Sequence, residues 1–114
     1  MGAKTVINIL KEDNVTANTF HITESAVVPN GKTVKLRKFG GCIPAIGDGK
    51  EGIIALQWGN GGTWETVEVG CHEFSRNIDK TFVGNGSKKF RLYRENFSST
   101  DKKIIAWIDA IVVN

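Results

Sequence analysis

The residues best equipped for chemistry are Cys71 and His72, with Cys42, His21 and Glu73 as further candidates. A thiolate beside an imidazole can act as a nucleophile with its base, and three or four such groups converging can hold zinc. Their spacing argues against both. Neighbouring residues of an extended chain point to opposite faces, so Cys71 and His72 do not share a proton or an ion. Pairing either with Cys42 or His21 requires a tertiary convergence that no spacing announces. The two cysteines are too few for a disulfide framework and read better as free, partly buried thiols. Glu65 and Glu68 fall on opposite strand faces, and Asp48 and Glu51 lie in a glycine-rich loop. Gly47-Asp48-Gly49-Lys50-Glu51-Gly52 carries the letters of a dinucleotide fingerprint. That motif needs a helix to receive the pyrophosphate, however, and Ile53 onward reads as a strand. No serine occupies a nucleophile-elbow context. The expectation is a protein that is not an enzyme and uses no metal and no cofactor.

Residues suited to binding are easier to find. Trp58 and Trp64 flank the turn Gly59-Asn60-Gly61-Gly62, a placement in which two indoles and Asn60 would make a platform for a sugar ring. Equally, tryptophan in a small domain buries a large apolar area in the core. Basic residues group as Lys32, Lys35, Arg37, Lys38 and as Lys88, Lys89, Arg91, Arg94. Tyr93 shares a strand face with Lys89 and Arg91, which combines charge with a stacking surface. The plainer reading of these groups is the wet face of outer strands, with lysines guarding edges. Fifteen basic against twelve acidic residues leave a net charge of +3, too mild for a dedicated nucleic-acid binder, so nucleic acid is not the expected partner. The candidate binding set is Trp58, Asn60, Trp64, Arg91 and Tyr93.

These side chains must be positioned by strands. A chain of 114 residues makes one domain, 1–114, with a single core. Asn-Gly, the strongest short hairpin signal, occurs at Asn30-Gly31, Asn60-Gly61 and Asn85-Gly86, each between strand-like runs. Alternation supports this at Val34/Leu36 against Lys35/Arg37, and at Phe90/Leu92 against Lys89/Arg91/Tyr93. Lys102–Val113 reads either as a strand, with Ile104, Ala106, Ile108, Ala110 and Val112 on one apolar face, or as a helix capped near Thr100 or Asp101. Its β-branched content favours the strand. Lys11–Asn18 and Gly40–Gly52 read as loops. Residues 1–10 are either an ordinary first strand or a terminal arm able to add to a partner's sheet. The fold expected is all-β: an antiparallel β-sandwich, jelly-roll-like. No run reaches the roughly 20 apolar residues of a membrane span, and Met1–Val6 leads into alternation rather than an apolar signal core.

Two stretches, Asp48-Gly49-Lys50-Glu51-Gly52-Ile53-Ile54-Ala55-Leu56-Gln57-Trp58 and Phe82 through Asn96, resemble small bacteriophage virion proteins of the capsid decoration (cement) type. The resemblance covers residues 40–114 and does not extend to the first third. It implies a compact β-sandwich that clamps a capsid lattice. The partner would be the major capsid protein, with homo-oligomers formed, in a virion assembled in the host cytoplasm. The competing expectation is a carbohydrate-binding module using Trp58 and Trp64.

Overall fold

The computed structural model describes residues 7–44 and 52–113. These form β1 (Ile9–Val15), β2 (Phe20–Glu24), β3 (Thr33–Cys42), β4 (Gly52–Asn60), β5 (Thr63–Gly70), β6 (Glu73–Val83), β7 (Lys89–Asn96) and β8 (Lys102–Val112). No helix occurs among the described residues. The strands make two four-stranded antiparallel sheets, ordered β1-β8-β3-β6 and β2-β7-β4-β5. First pairs with last, second with seventh, third with sixth and fourth with fifth. A long hairpin rolled over itself gives this nesting, and it is the connectivity of a jelly roll. The all-β sandwich expected from the sequence is therefore the fold.

The core fills the space between the sheets, as the period of two in each strand requires. Val34, Leu36 and Phe39 of β3 and Ile104, Ala106 and Ile108 of β8 face Ile54, Leu56, Phe90 and Leu92 of the other sheet, all buried. Trp58, Phe82 and Phe90 form an aromatic knot, with Trp58 4.7 Å from Phe90 and 5.1 Å from Phe82 between ring centroids. The ambiguous last segment is strand β8, a central strand whose even-numbered residues from Lys102 to Ala110 are buried.

Three sequence readings are corrected. The polar run Lys11–Asn18 is not a loop through its first half, since β1 continues to Val15. An edge strand bonded, among the described residues, only to β8 tolerates charges, and its inward Asp13 finds a buried partner in Arg94. Gly40 and Gly41 are not loop residues either but lie within β3. At Gly40 the indole of Trp107 crosses the strand so closely that a Cβ would stand 2.3 Å from Cζ2. Of the three Asn-Gly hairpins expected, the one at Asn60-Gly61 forms, joining β4 to β5, although Asn60 ends β4 and the tight turn is Gly61-Gly62, with Gly61 at φ 52. The other two do not. Asn30-Gly31 and Asn85-Gly86 join strands of different sheets, and Ala26–Val28 is not a strand. The two connections lie side by side and bond to each other: the Gly31 amide donates to the Gly84 carbonyl (3.0 Å) and the Gly84 amide to the Lys32 carbonyl (2.8 Å). The proposed arm at 1–10 falls partly outside the described residues; Ile7 and Ile9 within it are buried, and the Ile7 amide donates to the Ala110 carbonyl at 2.8 Å.

Candidate interaction face

Pairing fixes what each sheet shows to water. On the β2-β7-β4-β5 sheet, Phe90, Leu92 and Arg94 point in, so Lys89, Arg91, Tyr93 and Glu95 point out. Register then sets three rows across the outer face. Glu24, Arg91, Gln57 and Thr66 form one, Ile22, Tyr93, Ala55 and Val69 the next, and Phe20, Glu95 and Ile53 the third. Trp64, opposite Gly59, lies beyond the first row.

The row with Arg91 is rigid. Its guanidinium carbon sits 4.1 Å from the Trp64 ring centroid, a cation–π contact. Its Nε donates to Gln57 Oε1 at 2.6 Å. The Trp64 indole N–H donates to the Gly61 carbonyl at 2.7 Å, so the tight turn holds the ring that supports the guanidinium. Asn60 donates to Ser87 Oγ at 2.6 Å, joining this turn to the β6–β7 connection. Lys89 pairs with Glu24 at 2.7 Å.

The neighbouring rows carry exposed apolar side chains beside Glu95. Phe20 is 54% exposed and Ile22 40% exposed, and Val69 is exposed too. The Phe20 ring stacks on Tyr93 with centroids 5.3 Å apart. The Tyr93 hydroxyl donates to Glu95 Oε1. That bond, with burial and the carboxylate's charge added, raises the Tyr93 pKa from 10.0 to about 12.

Four of the five residues singled out from the sequence thus meet on or beside this face: Asn60, Trp64, Arg91 and Tyr93. Trp58 does not join them. It points inward from β4, is 4% exposed, and packs in the aromatic knot, so a platform made of both indoles is not formed. Sequence reasoning missed Phe20, Ile22, Gln57 and Val69. The alternation Phe20-His21-Ile22-Thr23-Glu24 was the available signal for the first two.

Beneath the face lies a buried polar cluster that ties the sheets together. Arg94, fully buried, donates to Asp13 Oδ2 at 2.6 Å and to Thr23 Oγ1 at 2.5 Å. His21 Nδ1 lies 3.4 Å from the same carboxylate oxygen, and Lys11 Nζ 3.7 Å from the other. Burial pushes the Asp13 pKa up, but the Arg94 and His21 hydrogen bonds and the Arg94 and Lys11 charges together bring it below 3.8.

The outer face of the other sheet carries a shallow concavity of about 440 Å³ whose lining includes Asn8, Leu10, Ile105, Trp107 and Asp109. The cysteines are unpaired, Cys42 half-buried and Cys71 exposed. Among the described residues no three His, Cys, Asp or Glu side chains gather as a metal site.

No family model matches the chain, and no curated protein sequence matches it. Among solved structures, the Drosophila NLP-core, whose crystal structure is described as giving insight into pentamer formation and histone binding, is similar over 89% of this chain and 96% of its own, at 9% identity and a TM-score of 0.37. A likeness this distant leaves the reading of the chain to its own residues.

Proposed function

We propose that this protein is a structural component of a virus particle, a decoration protein that adheres to the capsid lattice through the outer face of its β2-β7-β4-β5 sheet. The observation that carries the reading is that face: large apolar side chains, Phe20, Ile22 and Val69, lie open to solvent beside a braced arginine and tryptophan. Interfaces draw most of their energy from aromatic and arginine side chains of this kind, surrounded by contacts that exclude water. A sheet face that meets only water is by contrast polar, since strands alternate apolar residues inward and polar residues outward. The resemblance of residues 40–114 to virion proteins and the jelly-roll connectivity support the same role. A lattice offers many identical copies of one partner, so modest single contacts suffice where linked copies bind together.

Purified chain mixed with capsid shells lacking it should co-sediment with them to a fixed ratio. The double substitution Phe20→Ser and Ile22→Ser should abolish pelleting while circular dichroism still reports strands. Absence of pelleting across a range of salt concentrations rejects the proposal. The carbohydrate reading would have to rely on Trp64 with Asn60, one face of Trp64 already being covered by Arg91. A tryptophan emission change on glycan titration, lost in Trp64→Ala, would select it instead.

A further inference from the structure

We infer that Arg91 is the receptor for a carboxylate on an extended, acidic and apolar segment of the partner chain; the inference rests on the adhesive role of this face and names the chemistry it recognises.

The guanidinium is held from two sides. Its central carbon lies over the Trp64 ring, 4.1 Å from the centroid, and Gln57 takes its Nε–H at 2.6 Å. Gln57 is steadied in turn by Thr66, whose Oγ1 is 3.4 Å from Gln57 Nε2. Both terminal nitrogens lack a hydrogen-bond or ion-pair partner among the described residues. The nearest carboxylate across the strand, Glu24, is engaged by Lys89. A half-buried guanidinium fixed at Nε and on its face has spent its rotamer entropy already. The fork that remains matches a carboxylate in a bidentate manner. Charge fits as well: among the described residues, Lys89 and Arg91 stand on this end of the face against Glu24, so an acidic partner completes the balance.

The adjoining row sets the rest of the partner. Ile22 and Tyr93 lie two residues along the strands from Glu24 and Arg91, and Val69 lies three from Thr66, the extra residue taken up by the bulge opposite Leu56 and Gln57. Two residues of extended chain span about 7 Å. A segment lying along β7 therefore places a carboxylate on Arg91 and, two positions on, a large apolar side chain on Tyr93 and Ile22. Phosphate would satisfy the fork but not the apolar row, which is why a polypeptide is favoured over nucleic acid.

The test uses the full chain, ¹⁵N-labelled, titrated with a capped Glu-Ser-Leu-Ser-Leu peptide, its Lys-Ser-Leu-Ser-Leu counterpart, inorganic phosphate and a thymidine oligonucleotide. The acidic peptide should move the Arg91 Nε–H and Trp64 indole signals together, and its affinity should exceed that of the lysine peptide by at least about tenfold. Arg91→Lys keeps the charge but loses the fork, and should weaken the acidic peptide about tenfold. Gln57→Leu, which frees Nε, should weaken it less and broaden the Arg91 signal. Unchanged affinity in Arg91→Lys, equal binding of both peptides, or tighter binding of phosphate or oligonucleotide overturns the inference. If shells pellet the chain while the acidic peptide moves neither signal, the carboxylate site falls and the adhesive role stands. If the peptide binds through Arg91 but shells do not pellet the chain, the site stands and the capsid reading falls alone.

Discussion

Replacing Asp13 by asparagine probes the ion pair that joins the two sheets. The substitution preserves shape and removes one charge. It leaves Arg94, fully buried, with the Thr23 hydroxyl and a neutral amide in place of a carboxylate 2.6 Å away. Breaking a buried pair from one side costs about 3–5 kcal/mol, because the remaining ion is neither solvated nor compensated. For 114 residues the whole stability is expected near 6–17 kcal/mol, so the loss is a large share of it. With a urea m-value of about 2 kcal/mol/M, the unfolding midpoint falls by roughly 2 M. Asp13→Leu combined with Arg94→Met should recover most of that loss, since an apolar replacement of both partners carries no stranded charge. Acid provides the second arm. The folded Asp13 pKa lies below the ordinary carboxylate value, so the pair's contribution is complete above about pH 4 and disappears as pH falls through the folded pKa. The parent and Asp13→Asn should therefore converge in stability at low pH. The measurement is urea unfolding followed by circular dichroism from pH 7 downward. A midpoint shift below about 0.3 M at pH 7, or a gap that persists unchanged into acid, refutes the reasoning.

Two further expectations follow from the geometry. Tyr93 should ionise near pH 12 by ultraviolet titration, and Glu95→Gln should bring it back toward the ordinary 10 of tyrosine. The stability gained from this raised pKa is full below about pH 10 and is lost as pH climbs through the folded value. Gly40→Ala should destabilise the fold by about 1–3 kcal/mol, because its Cβ would meet the Trp107 ring at 2.3 Å and the Phe74 carbonyl oxygen at 2.9 Å. Adding Trp107→Leu should relieve most of the penalty in thermal unfolding, leaving the part due to the backbone oxygen.

The fold was legible wherever one sheet face is dry and the other wet. In Lys89–Arg94 alternation marked Phe90 and Leu92, which are buried, but Arg94, grouped there with the wet basic residues, points inward and is fully buried. In Lys102–Val113, apolar on both faces, β-branched content rather than alternation pointed to the strand that forms, with Ile104, Ala106, Ile108 and Ala110 buried. β1 was hidden because Lys11-Glu12-Asp13-Asn14 has no apolar beat. Its inward charge is neutralised by Arg94, far away in sequence, which no local pattern reveals. β2 was hidden by its brevity, five residues, and by apolar residues that face outward rather than into the core. The Asn-Gly signals correctly marked changes of direction. Local turn chemistry does not encode whether the next strand returns to the same sheet or crosses to the other, so the hairpins inferred at Asn30 and Asn85 are crossings instead. Of the site, Tyr93 and Arg91 could be placed together because they share one strand. Their joining to Trp64, Gln57 and Phe20 depends on register between strands that are distant in sequence. Trp58 and Trp64 had the same apparent exposure beside one turn, and only the pleat separates them, one indole in the core and the other outside.

Hydroxyl-radical footprinting of the chain, free and bound to capsid shells, interrogates the adhesive face directly. Oxidation of Phe20, Trp64 and Tyr93 should drop several-fold in the bound state, while Leu10 and Trp107 on the opposite sheet react as they do in the free protein. Protection of Leu10 and Trp107 with Phe20, Trp64 and Tyr93 unchanged, or identical labelling in both states, contradicts the account.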